Sequence, residues 1–253
     1  MLRPGVVALF LIFVISISFA YTSFKSNSIL EDAYSQVVVV ACLSVNNDIV
    51  GYGTGWWVNS EHVITAYHVV QACGNITLVR DPWASKAELI AYDQEHDIAV
   101  LRAVNPPDWA RGLPLSYEAR IGDPIYVVGY PIQLFQETEK NLSEMSKIPR
   151  VASGTIAWLH PSKPLFQFDI PTDAGNSGGP IVSKESGGVV GIVVYARPGV
   201  VSNGFFGLRM DYVAQFLDSQ GVSYRVSGGP GLAWAGLGAL GILVLVFVLA
   251  RRK

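Results

Sequence analysis

The chain has 253 residues, half of them hydrophobic and only 15% charged, against about 25% charged in an ordinary soluble domain. Mean hydropathy is +0.34, so part of the chain must be matched to lipid rather than to water. With 18 Lys and Arg against 20 Asp and Glu, a net charge of −2, the balance argues against a nucleic-acid partner, which would need a basic stripe to neutralise phosphates.

The first element is apolar. Pro4 to Phe24 carries no charge and is bracketed by Arg3 and Lys25, and a lipid span needs about 20 such residues. Residues 1–30 therefore read as a signal anchor with a short linker, or as a signal peptide cut after Ser18-Phe19-Ala20. Short β-branched runs bounded by turn residues follow, each the signature of a strand. In the first half they are Gln36–Ser44, Gly55–Val58, His62–Ala66, Asn75–Val79, Lys86–Asp93 and Ala99–Val104. A Pro-rich connector, Asn105 through Pro114, leads to Pro124–Gly129, Val151–Trp158, Leu165–Phe168, Pro180–Val182, Val189–Ala196 and Phe205–Leu208. Gln133 to Arg150 carries Glu137, Glu139, Lys140, Glu144, Lys147 and Arg150 and is expected to be a long exposed loop. Only Tyr212–Ser219 has apolar residues at helical spacing. Many short strands with no internal repeat point to a sandwich or barrels.

The last element is apolar again. Val226 to Ala250 is uncharged and closes on Arg251-Arg252-Lys253, so residues 226–253 are expected to span the membrane with a basic cytoplasmic end. The Gly228-Gly229-Pro230-Gly231 start leaves a cleaved sorting signal as the alternative. Either way, residues 31–225 would lie on the extracytoplasmic face. Cys42 and Cys73 are the whole cysteine complement. They read as a disulfide pair in an oxidising compartment or as two buried free thiols. Asn75-Ile76-Thr77 and Asn141-Leu142-Ser143 are glycosylation sequons that agree weakly with an outside location.

Three short motifs carry chemistry. Asp173-Ala174-Gly175-Asn176-Ser177-Gly178-Gly179-Pro180 places glycines on both sides of a serine, allowing backbone angles closed to other residues. A sharp turn there can aim the N–H groups of Gly175 and Ser177 at one point beside the Ser177 hydroxyl, an oxyanion hole built around a nucleophile. Read blandly, it is a Gly/Ser turn between strands. Ile64-Thr65-Ala66-Tyr67-His68-Val69-Val70, after Gly53-Thr54-Gly55, ends an apolar strand in an imidazole. His96-Asp97-Ile98-Ala99-Val100-Leu101 puts a carboxylate at the head of a buried strand, where it needs a partner. A lone His is more often a satisfied surface or core residue, so the three motifs argue only together.

Together they resemble the trypsin-like serine peptidases, in particular the HtrA/DegP-like branch, over essentially the whole of residues 31–225. The resemblance implies an all-β fold of two six-stranded antiparallel barrels, about 31–110 and 111–225, with the active site between them. It implies Ser177 as nucleophile, His68 as general base, Asp97 as the residue orienting the imidazole, and the Gly175 and Ser177 amides as oxyanion hole. Ile192, Val193 and Val194 match the strand that pairs with substrate backbone in this family. Related enzymes also have a disulfide flanking this histidine, so Cys42 and Cys73 are expected to be joined and to clamp the His68 segment. The expected partners are protein or peptide substrates and the lipid bilayer; no cofactor and no metal is called for. Two features depart from the family pattern. No PDZ segment stands between the protease and the second apolar run, and Pro171 occupies the place of the Asp that a basic-specificity pocket would use.

Other classes fit less well. The Gly-x-Ser-x-Gly pattern of esterases needs a His after the Ser, whereas His62, His68, His96 and His160 all precede Ser177. The histidines and cysteines lack metal-ligand spacing. A catalytically inactive protease fold used as a membrane adaptor is the remaining alternative, and the three filled catalytic positions count against it.

Overall fold

The computed structural model describes residues 16, 18, 20, 23, 25, 27–194 and 205–227. The apolar run Pro4–Phe24 lies mostly outside the described residues, and the run Val226–Ala250 lies outside them beyond Ser227, as do Tyr195 and Ala196 of the expected strand. No helix among the described residues is long and apolar enough to cross a membrane.

Twelve strands close two barrels. A helix, α1, runs through residues 27–35. The first barrel contains β1 (Val37–Leu43), β2 (Ile49–Trp57), β3 (His62–Thr65), β4 (Asn75–Arg80), β5 (Trp83–Asp93) and β6 (Ile98–Ala103), with a one-turn helix α2 (Tyr67–Val70) after β3. The second contains β7 (Pro124–Gly129), β8 (Arg150–Leu159), β9 (Leu165–Phe168), β10 (Pro180–Ser183), β11 (Val189–Val194) and β12 (Phe205–Arg209). Between β7 and β8 lie α3 (Ile132–Glu137) and α4 (Leu142–Ser146), and α5 (Met210–Ser219) closes the domain. The strand orders are β1-β2-β3-β6-β5-β4 and β7-β8-β9-β12-β11-β10, the same winding twice.

Side-chain alternation explains why these strands read as unbroken apolar runs. In β1, Val38 and Val40 fill the first barrel with Trp57, Val63, Leu78 and Leu101. Val37 and Val39 point the other way, into a core shared with Val128, Val182 and Ile192 of the second barrel. In the second barrel Val127, Ile181 and Val193 turn inward onto Phe166 and Phe168. Strands at the junction thus bury both faces, one in their own barrel and one in the interface, and lose the polar alternation of a half-exposed strand. The chain crosses between barrels through Leu113 and Leu115, both buried. The Gln36 side-chain oxygen accepts from the Arg111 and Gly112 N–H groups, fastening that crossing to the end of α1.

Residues 133–150 differ from the expected loop. They carry α3 and α4, with Leu134, Met145 and Ser146 buried. Asn141 caps α4 by accepting from the Ser143 and Glu144 N–H groups. Each helix is under two turns long, too short for its periodicity to register against the surrounding charge.

Candidate active site

His68 and Asp97 come from neighbouring strands of the first barrel. β3 and β6 pair with Thr65 opposite Ala99, so the residue three past the end of β3 and the residue just before β6 meet at one rim. Ala66 keeps an extended backbone before the chain turns into α2, which carries His68. Asp97 lies in the left-handed region at φ 58°, a conformation Asp tolerates better than most residues. Its carbonyl accepts from the Tyr67 N–H at 3.2 Å. One carboxylate oxygen accepts from the His68 N–H at 2.8 Å, and the other lies 2.7 Å from His68 Nδ1. A carboxylate can only accept, so Nδ1 carries the proton and Nε2 is left as an acceptor on the open side of the ring. The side chain of Asp97 is 16% exposed and that of His68 36%: the carboxylate is sheltered behind an imidazole that a ligand can reach.

The other histidines are occupied elsewhere. His62 Nδ1 and its N–H bond to the Asn59 side chain, and His160 Nδ1 accepts from the Ser162 and Lys163 N–H groups. Asp93, a second carboxylate four residues before Asp97, bonds to His96 and Tyr212 and not to His68. Among the described residues no group of His, Cys, Asp or Glu could hold a metal ion.

The Ser177 loop comes from the second barrel, immediately before β10. Gly175 has φ 94°, and a Cβ there would stand 2.2 Å from the Tyr130 carbonyl and 2.8 Å from the Tyr52 ring. Gly178 has φ 83°, and a Cβ there would fall 2.3 Å from Thr65 Oγ1 and 2.5 Å from the Ala66 N. Both positions need glycine for conformation and for space. The close approach at Gly178 brings the serine loop against Thr65 and Ala66, three and two residues ahead of His68. Among the described residues neither the Gly175 nor the Ser177 N–H has a hydrogen-bond acceptor, while Asn176 N–H between them bonds to the Asp173 carbonyl.

Thr54 holds the two halves of the site together. Its N–H donates to the Ser177 carbonyl at 2.9 Å, and its hydroxyl donates to the Gly175 carbonyl at 2.6 Å and accepts from the Tyr130 N–H at 3.0 Å. Its own carbonyl accepts from the Thr65 hydroxyl at 2.8 Å. One fully buried residue of β2 therefore touches the serine loop, β7 and the end of β3. The Gly53-Thr54-Gly55 motif gives Thr54 no role by itself; a small hydroxyl between two glycines in an otherwise apolar stretch is the one local signal.

Within the expected substrate strand, Val193 is bonded to the serine loop. Its N–H donates to the Gly179 carbonyl and its carbonyl accepts from the Gly178 N–H, so both backbone groups are spent on holding the serine loop. Ile192, Val193 and Val194 are all buried and face β12 across the ladder. Cys42 and Cys73 are joined as a disulfide, with Cα atoms 5.1 Å apart. It ties β1 to the turn that leaves α2, five residues beyond His68.

The Trypsin-like peptidase domain model matches residues 53–192. The chain is 29% identical over 174 residues to Protease Do-like 1, chloroplastic, of Arabidopsis thaliana, covering 66% of this chain and 39% of that protein. It is 26% identical over 212 residues to Serine protease Rv3671c of Mycobacterium tuberculosis, covering 81% of this chain and 51% of that protein. The crystal structure of the Rv3671c protease in its active form superposes with a TM-score of 0.62 at 22% identity, over 81% of this chain and 89% of that one. The chain thus spans about half or less of the length of these curated relatives. With two like-wound barrels and a match running from the Gly-Thr-Gly strand to β11, the chain belongs to the trypsin-like peptidase domain family.

Proposed function

We propose that this protein is a membrane-tethered serine endopeptidase that cuts extracytoplasmic proteins through Ser177, His68 and Asp97. The observation that carries the reading is the double grip of the Asp97 carboxylate on the ring and the backbone of His68, beside a serine loop with two unpaired N–H groups. The Ser177 hydroxyl attacks the scissile carbonyl carbon while His68 Nε2 takes its proton. Asp97 stabilises the imidazolium that results. The carbonyl oxygen becomes an oxyanion and is received by the Gly175 and Ser177 N–H groups. Collapse of that intermediate breaks the C–N bond, His68 returns the proton to the leaving amine, and an acyl group remains on Ser177 Oγ. Water, deprotonated by the same Nε2, then releases the acid product. Val194, the last described residue of β11, is the point at which substrate backbone would begin to pair.

The two uncharged apolar runs and the terminal Arg251-Arg252-Lys253 support the tether, and the Cys42–Cys73 disulfide supports an oxidising compartment. The test is labelling of the detergent-solubilised full chain with a fluorophosphonate, followed by peptide mapping. Label on Ser177, lost in Ser177→Ala together with about 10⁶-fold of hydrolytic rate and no change in circular dichroism, is the expected result. A folded wild type that takes no label on Ser177 would favour the inactive adaptor.

A further inference from the structure

Asp97 stands at one end of a five-residue loop whose other end is held by groups the proposed hydrolysis does not use. Asp93 closes β5, and its Oδ1 accepts from the N–H groups of Glu95 at 2.8 Å and His96 at 3.1 Å, curling the loop back on itself. Its Oδ2 accepts the Tyr212 hydroxyl at 2.5 Å and lies 2.9 Å from His96 Nδ1. The Tyr212 oxygen is also 2.8 Å from His96 Nδ1, with the two ring centroids 4.1 Å apart. One proton arrangement satisfies all three contacts: Tyr212 donates to Asp93, and the Nδ1–H of His96 is shared between the Asp93 carboxylate and the Tyr212 oxygen. Burial alone would raise the Asp93 carboxyl, but the hydrogen bonds from Tyr212 and His96 outweigh it and hold the group below the usual carboxylate range.

Tyr212 belongs to α5, which packs on β11 and β12 of the second barrel, whereas Asp93 and His96 belong to the first. The cluster therefore bolts the β5–β6 loop to the opposite barrel. His96 is the residue before Asp97, so the place where His96 is held sets where the left-handed Asp97 begins.

We infer that Asp93, His96 and Tyr212 are positioning residues: they hold Asp97 so that its carboxylate meets both the Nδ1 and the N–H of His68. The inference rests on the Ser177–His68–Asp97 reading and deepens it. The experiment compares rates of Ser177 phosphonylation by a fluorophosphonate, and kcat and KM on a peptide, for the full chain in detergent. Tyr212→Phe, which keeps the ring over His96 but removes the hydroxyl, should slow labelling and kcat roughly ten- to a hundredfold with KM nearly unchanged, as small misplacements of a catalytic group do. His96→Leu should slow both at least as much. His96→Asn, whose amide can donate to Asp93 from the place of Nδ1, should recover most of that loss, which a merely structural role does not predict. Wild-type labelling rates in Tyr212→Phe would overturn the inference, even if His96→Leu failed to fold. So would His96→Asn as slow as His96→Leu, or a loss confined to KM. Failure of the underlying reading looks different: the wild type itself would carry no label on Ser177, and the positioning role would fall with it.

Discussion

The two barrels wind alike yet serve the site in opposite ways. The first supplies side chains, His68 and Asp97, brought to one rim by the β3–β6 register. The second supplies Ser177 on a loop shaped by its backbone, with glycines at φ 94° and 83° on either side of the serine. Side-chain chemistry needs a fixed strand register; backbone chemistry needs positions where no Cβ fits. At the site itself the left-handed positions are Asp97 on the first barrel and Gly175 and Gly178 on the second, and only the first of these carries a Cβ.

Substitutions on each side should separate these two modes. The largest effect is expected from Asp97→Asn. It keeps the shape of the loop but favours the wrong imidazole tautomer, and kcat should fall about 10⁴-fold. Asp93→Asn should cost no more than about 100-fold, since it acts only through loop position. Steady-state kinetics on one peptide would check both, and equal losses would break the distinction between the acids.

On the backbone side, Gly178→Ala forces a Cβ to within 2.3 Å of Thr65 Oγ1 and 2.4 Å of the Thr54 carbonyl at φ 83°. It should push the serine loop off the first barrel at a cost of about 2–4 kcal/mol, read from the urea midpoint, with Ser177 labelling lost as well. Next comes the covalent tie within the first barrel. Replacing Cys42 and Cys73 together by Ser opens a loop with a sequence separation of 31 and should cost about 3–4 kcal/mol in the same assay. The smallest of these effects is expected from Thr54→Val. It leaves the Gly175 carbonyl and the Tyr130 N–H without their hydroxyl partner and should cost about 1–3 kcal/mol. A neutral Thr54→Val would show that the Thr54 hydroxyl adds nothing to the other ties between the barrels.

Tyr130 makes the same point about the junction. Fully buried, it receives a hydrogen bond from Arg80 of β4 at 2.8 Å, its N–H bonds to Thr54, and burial pushes its hydroxyl up to about 12. It is a residue of the second barrel whose polar partners come largely from the first. Nothing local to Val128-Gly129-Tyr130-Pro131 announces this. By contrast, the serine and histidine motifs were readable because glycine spacing and the end of an apolar strand are local signals. The strands were readable as well, although β2 begins at Ile49 and β5 at Trp83, earlier than the expected Gly55 and Lys86. The helices α3 and α4 were hidden by their length, and nothing local to Gly191-Ile192-Val193-Val194 announces that the Val193 backbone is bonded to the serine loop.

From the chain alone came the apolar ends, the two sets of β-branched runs, and the residue types a serine hydrolase needs in their order. Each of these depends on composition or on neighbours within a few positions. The tertiary structure decided what depended on distant partners. Asp93 and Asp97 stand four residues apart on one short loop, and both are carboxylates beside a histidine. Which one faces His68 was settled by the pairing of Thr65 with Ala99 and by the left-handed turn at Asp97. Tyr212, more than a hundred residues downstream, engages the other. A hydrogen bond goes to whichever group the register of remote strands brings within about 3 Å, and that register is a property of the closed barrels.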